Sequence, residues 1–259
     1  MLIAERQQKI VRIVNERKSV RVSELSEMFS VTEETIRRDL EKLEKEKKLL
    51  RSHGGAISMN PNDSLEIPYK EREIINVAEK QDIALEAVKL VKEGDNIILD
   101  ASTTAWYMAK ALPDLPMTVL TNSIKVAMEL SNKKQITVIS TGGTLLAKSL
   151  SFVGPLAEAS LDKYYVNKAF ISCKGLHIKR GISESDEQQA RIKKKMIESA
   201  ANVYMMLDYS KLGKQAFSLI TGIEDVNCII TDRKADESSV QHLKEKELNV
   251  IVAPCSTDS

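Results

Sequence analysis

Seven short apolar runs between residues 96 and 253 constrain this chain more than anything else in it. They read "NIILD", "MTVLT", "QITVIS", "KAFISC", "VYMMLD", "CIITD" and "NVIVA". Each is apolar on both faces, and amphipathic stretches such as Gln188 to Ala201 lie between them. Strands buried on both faces and alternating with helices predict a mainly parallel sheet in an α/β fold. Residues before this pattern carry a different one, and 259 residues exceed one typical domain, so two domains are expected.

The residues at the end of each strand bear on function. The first run leads into Asp100 and three hydroxyl side chains, Ser102, Thr103 and Thr104, and a helix starts straight after. The next ends in Thr121-Asn122-Ser123, the third in Ser140-Thr141-Gly142-Gly143, the fourth in Cys173-Lys174-Gly175 and the fifth in Asp208-Tyr209-Ser210-Lys211. Ligands of open α/β sheets bind outside the carboxyl ends of the strands. A polar loop taken alone means little, but five such ends predict one small polar pocket. A hydroxyl-rich turn at a helix N-terminus suits a phosphate, and Lys174 or Lys211 would neutralise it. Asp100 would repel phosphate, so it is expected to orient a sugar hydroxyl. Asn122, Glu184 and Glu187 are further hydroxyl-binding candidates. No G-x-G-x-x-G or G-x-x-x-x-G-K-[ST] motif occurs, which disfavours dinucleotides and nucleoside triphosphates. No cofactor is expected.

No apolar run approaches the roughly 18 residues of a membrane span. "MLIAERQQKI" turns charged at its fifth residue, unlike a secretory signal. Cys173, Cys228 and Cys255 are odd in number, far apart and free of C-x-x-C pairing, which argues against disulfides or zinc and for a cytoplasmic protein.

Residues 1–57 hold thirteen basic and ten acidic side chains, a mild positive bias. Leu2 to Glu16 reads as an amphipathic helix. A short helix at about Ser23 to Phe29, a tight turn at Ser30-Val31 and a longer helix in "TEETIRRDLEKLEKEKKLL" give helix-turn-helix spacing. Thr32 is the expected N-cap, and Ile36, Leu40 and Leu43 form the inner face. The outer faces offer Thr32, Glu33, Thr35, Arg37, Arg38 and Lys42. A charged helix of this kind, taken alone, is more often a solvated one whose Arg and Glu pair at i,i+4 spacing. "KKLLRSHGGAI" then reads as a basic hairpin turning at Gly54-Gly55, with Arg51 and His53 outward, and a basic hairpin after a recognition helix is a wing. His53 has no second metal ligand near it, and no metal is expected. "SMNPNDSLEIPYKE" reads as a linker, and a helix is expected over about residues 72–92, stopping at Gly94.

"RQQKIVRIV", the "TIRRDL" core and the "HGGA" ending resemble the N-terminal domain of the DeoR family of bacterial transcription regulators. That resemblance implies DNA contacts at Thr32, Thr35, Arg37, Arg38, Arg51 and His53. "DASTTA", "TNS", "GG" and "DYSK" stand in the order of the family's C-terminal effector domain, which is similar in fold to ribose-5-phosphate isomerase. Strand-end chemistry and this resemblance together give an expected effector set of Asp100, Ser102, Thr103, Thr104, Asn122, Ser123, Gly142, Gly143, Lys174, Glu184, Glu187 and Lys211. The family's usual turn has glycine before the two threonines, where this chain has Ser102. The expected organisation is a winged helix-turn-helix domain (1–57), a linker (58–71) and a Rossmann-like effector-binding and oligomerisation domain (72–259).

Two functions compete. One is a repressor of a sugar-catabolism operon, bound to double-stranded operator DNA as a dimer or tetramer and released by a phosphorylated sugar. The "DASTTAWYMAKALPD" stretch is similar to the subgroup associated with 6-deoxyhexose catabolism, which implies a 6-deoxyketohexose 1-phosphate. The other is a sugar-phosphate isomerase with a DNA-binding appendage, kept open by Asp208, Lys211, Glu184 and Glu187. An isomerase needs a general acid/base within reach of its substrate. The stretch corresponding to the isomerase's acidic motif is "SCKGLH", without a carboxylate, so a sensor rather than an enzyme is expected.

Overall fold

The computed structural model describes residues 3–17, 19–46, 48–52, 54–58 and 67–255. The chain divides into two compact units, one of residues 1–63 and 70–77, the other of residues 64–69 and 78–259.

In the first unit α1 (Ile3–Arg17), β1 (Ser19–Arg21), α2 (Val22–Phe29) and α3 (Glu33–Lys45) precede the hairpin β2 (Leu49–Ser52) and β3 (Gly55–Ser58). The turn between α2 and α3 forms where expected, with Ser30 in the left-handed region at φ 49° and the Ser26 hydroxyl donating to the Val31 carbonyl at 2.6 Å. Ile36, Leu40 and Leu43 are buried with Ile10, Val14, Leu25 and Leu49. The hairpin is three-stranded, because β1 pairs antiparallel with β3 in the order β1-β3-β2. The sequence carries no signal for three residues of strand. The close approach explains the second glycine of the "HGGA" ending: a Cβ on Gly55 would stand 2.1 Å from the Val20 carbonyl oxygen. The linker expected over 58–71 lies largely outside the described residues.

A single turn, α4 (Tyr69–Arg72), and α5 (Val77–Val88) replace the longer helix expected over 72–92. Asn76 takes φ 49°, which interrupts helix on its N-terminal side. The other end tightens through Lys89, Leu90 and Val91 N–H groups bonding three residues back, well before Gly94.

The second unit continues as β4 (Asn96–Leu99), α6 (Thr103–Ala111), β5 (Met117–Thr121), α7 (Ile124–Leu130), β6 (Ile136–Ser140), β7 (Thr144–Leu146), β8 (Ser151–Val153), α8 (Pro155–Leu161) and β9 (Val166–Ile171). Next come β10 (Gly175–His177), β11 (Gly181–Glu184), α9 (Glu187–Glu198), β12 (Ala200–Leu207), β13 (Ser218–Thr221), β14 (Cys228–Asp232), α10 (Glu237–Lys244) and β15 (Asn249–Ala253).

All seven expected strands join one sheet, ordered β15-β14-β12-β9-β4-β5-β6, and every pair is parallel. Alternate residues serve the two faces. Ile97, Leu99 and Phe170 pack with α5, α6 and α7, while Ile98, Ala169 and Ile171 pack with α8, α9 and α10. That two-sided burial is why the inner runs show no period-2 alternation in sequence, whereas the edge strands β6 and β15 are only partly buried. β7-β8 and β10-β11-β13 form two small antiparallel sheets. None of these five was expected; each is three or four residues long.

Candidate functional site

In the first unit α3 carries the outer-face residues that the sequence offers for DNA contact. Thr32 caps it, its hydroxyl accepting from Thr35 N–H at 3.3 Å, and the Thr32 and Thr35 hydroxyls lie 2.9 Å apart. Arg37 and Arg38 are exposed and paired within the helix, to Glu33 at 2.7 Å and Glu34 at 3.4 Å. Exposed i,i+4 pairs are worth roughly 0.3–0.5 kcal/mol, so neither arginine is committed by its pairing. On β2, Arg51 is exposed and its backbone N–H donates to Glu44 Oε1 at 3.0 Å. His53 lies outside the described residues. Asp39, inside the "TIRRDL" core, faces inward and takes Arg6 Nε at 2.6 Å and Gln7 Nε2 at 2.8 Å. This buried pair ties α1 to α3.

In the second unit, the five strands with polar ends in the sequence are neighbours: β12, β9, β4, β5 and β6. They are parallel, so their polar ends share one edge of the sheet. After β4 the chain continues to β5 on one side, whereas after β9 it continues to β12 on the other. The β4/β9 boundary is therefore the topological switch point, where open α/β sheets keep their crevice.

Asp100 sits at that boundary, wholly buried. Its Oδ1 accepts from Ser102 N–H at 3.1 Å and its Oδ2 from Ser172 N–H at 3.0 Å. Ser102 is the N-cap of α6, with Oγ accepting from Ala105 N–H at 3.0 Å. Helix geometry leaves the Thr103 and Thr104 N–H groups without intrahelical acceptors. Both threonines are buried, and the capping bond does not use their hydroxyls.

Ser123 caps α7 in the same way, accepting from Val126 N–H at 3.2 Å. Asn122 is buried; its Nδ2 donates to the Phe152 carbonyl at 3.0 Å, and its Oδ1 has no partner among the described residues. Gly142 and Gly143 both have positive φ. Gly143, at φ 114°, would place a Cβ 2.7 Å from the Val153 carbonyl oxygen, so the backbone conformation by itself requires glycine there. Lys174 and Lys211 are half-buried. Asp208 is buried and caps the short turn Tyr209–Lys211 through Ser210 N–H at 3.1 Å. Glu184 is buried at the end of β11, whereas Glu187, in the first turn of α9, is exposed. The Cys173 thiol is pushed up to about 12 by burial and then by Glu184, so it stays protonated at neutral pH.

Two residues escaped sequence reading. Lys193 Nζ lies 2.6 Å from Glu184 Oε2 and 3.3 Å from Asp100 Oδ2, and all three side chains are buried. Gln189, one turn earlier on α9, donates from Nε2 to Ser149 and Ser151 Oγ at 2.9 and 2.6 Å. A signal existed: residues 189, 193 and 196–197 share the buried face of α9. The run "RIKKKM" hid which of three lysines turns inward.

No helix among the described residues is long and apolar enough to cross a membrane. Residues 6–62 match the DeoR-like helix-turn-helix domain, and residues 75–233 match the DeoR C terminal sensor domain. The chain is 62% identical over 256 residues to an uncharacterized HTH-type transcriptional regulator, YulB, of Bacillus subtilis, covering 99% of each. It is 36% identical over 239 residues to the L-fucose operon activator of Escherichia coli, covering 92% of this chain and 98% of that one. Among solved structures it overlaps ribose 5-phosphate isomerase A of Methanocaldococcus jannaschii at a TM-score of 0.38 and 21% identity, covering 51% and 52% of the two chains. Likeness at that level says nothing of chemistry. Both of its parts match, and its near-full-length relatives regulate transcription: the chain belongs to the DeoR family of DNA-binding transcriptional regulators.

Proposed function

We propose that this regulator represses a sugar-catabolism operon and is released when a phosphorylated sugar, of the 6-deoxyketohexose 1-phosphate class, enters the pocket of the second unit. The observation that carries this reading is the switch point between β4 and β9. There two free N–H groups and two uncapped hydroxyls, of Thr103 and Thr104, meet at one helix N-terminus. Lys174 and Lys211 supply positive charge, and the unpaired Asn122 Oδ1 accepts a sugar hydroxyl. The 36% identity to proteins named L-fucose operon activators supports a deoxyhexose. Titrating fuculose 1-phosphate into the repressor–operator complex tests the reading: release supports it, and tightened binding reverses the direction of control.

On the DNA side, Thr32, Thr35, Arg37, Arg38, Arg51 and His53 are the proposed contacts. Arg37→Ala or Arg38→Ala is expected to weaken operator binding by about 1–3 kcal/mol, the range for a good bidentate contact. That exceeds the exposed Glu33 and Glu34 pairings each arginine gives up. Titrations showing wild-type affinity and base preference for both variants would reject the assignment.

One winged head reads too few base pairs for genomic specificity, so the second unit is proposed to hold the chain as a dimer or tetramer. Sedimentation at DNA-binding concentrations is expected to show an assembly, and a monomer on a single half-site would contradict it.

A further inference from the structure

A lysine ammonium has three N–H donors, and three oxygens lie close to Lys193 Nζ, two as hydrogen-bond acceptors and one as an ion-pair carboxylate. They are the Ser172 carbonyl at 2.8 Å, Glu184 Oε2 at 2.6 Å and Asp100 Oδ2 at 3.3 Å. At 5% exposed it is sealed beneath the strand ends, which separates it from the half-buried Lys174 and Lys211. Burial favours the neutral amine, but Glu184 and then Asp100 outweigh it, and Lys193 is held protonated.

Its three partners end three strands: Asp100 follows β4, Ser172 follows β9, and Glu184 closes β11. Asp100 passes the constraint on, because its other contacts are the Ser102 and Ser172 N–H groups. The path therefore runs from the inner face of α9 through one carboxylate to the turn that opens α6.

We propose that Lys193 is the positioning residue of the sensor pocket: without touching the effector, it fixes Asp100 and Glu184, and through Asp100 the Ser102–Thr104 turn. Its consequence for affinity rests on the proposed effector; the geometry it fixes does not. Sequence patterns that offer Asp100 and Glu184 to a sugar hydroxyl must accommodate a lysine already holding both. Two carboxylates that end strands of different sheets are thereby tied to one ammonium on α9.

The test compares wild type with Lys193→Met by amide hydrogen exchange and by calorimetry with fuculose 1-phosphate. The Ser102 and Ser172 amides are expected to exchange at least tenfold faster while those of β5 and β14 hold, and the probe to bind at least tenfold more weakly with operator affinity within twofold. Unchanged exchange at both amides, or acceleration spread evenly over the sheet, would overturn the proposal. Should Lys193→Met not fold, the double variant Lys193→Met/Glu184→Gln, which removes one charge of each sign, is judged by the same two amides. If the probe binds neither protein, the effector reading has failed, and the amide rates alone decide for or against Lys193.

Discussion

The double variant Thr103→Val/Thr104→Val is expected to bind fuculose 1-phosphate one to two orders of magnitude more weakly while folding and binding operator as wild type does. Valine keeps the shape of threonine and removes a hydroxyl, and a lost hydrogen bond to a charged group is worth roughly 1.5–3 kcal/mol. The cap of α6 is Ser102, through Ala105 N–H, so the threonines can change without uncapping the helix. That separates binding from stability. Ser102→Ala, the matching control, is expected to cost about 1 kcal/mol of stability as a lost N-cap. Calorimetry on normalised folded protein decides. Unchanged affinity in the valine variant would place the phosphate elsewhere.

A second large effect is expected in the first unit. Asp39→Ala leaves the Arg6 guanidinium in a site where it is 8% exposed and strips Gln7 of its acceptor. Removing one member of a buried pair costs about 3–5 kcal/mol, because the remaining charge is uncompensated. Small domains have few kcal/mol in reserve, so operator binding is expected to vanish near physiological temperature and reappear partly on cooling. Replacing both partners, as Arg6→Met/Asp39→Leu, removes the stranded charge and is expected to restore most of the melting temperature. Wild-type melting and operator affinity in Asp39→Ala would show that the pair is dispensable.

The sheet was legible because its strands are short apolar runs, buried on both faces in the middle of the sheet, and all seven join one parallel sheet. The helix-turn-helix was legible for a related reason: the turn at Ser30 and the inner positions Ile36, Leu40 and Leu43 are set by local spacing. What stayed hidden was set by distant partners. β1 exists because β3 arrives beside it, and three residues of "SVR" announce nothing. The small strands β10, β11 and β13 likewise depend on pairing with partners that local spacing does not reveal. Candidate residues at the strand ends could be named from order alone, but their engagements could not. That Ser102 and Ser123 serve as caps is a matter of where α6 and α7 start. That Asp100 and Glu184 share Lys193 depends on a side chain more than ninety positions from Asp100.

The pairing of β1 with β3 also bears on how the head comes into being during synthesis. α1, α2 and α3 leave the ribosome before β3, yet Val20 has no strand partner until Ala56 has been added, and Val22 N–H has no acceptor until Gly54 has. The head is thus completed by its last strand. A ribosome that stops short of residue 54 therefore releases helices with an unclosed edge, since neither Val20 nor the Val22 N–H has met its partner.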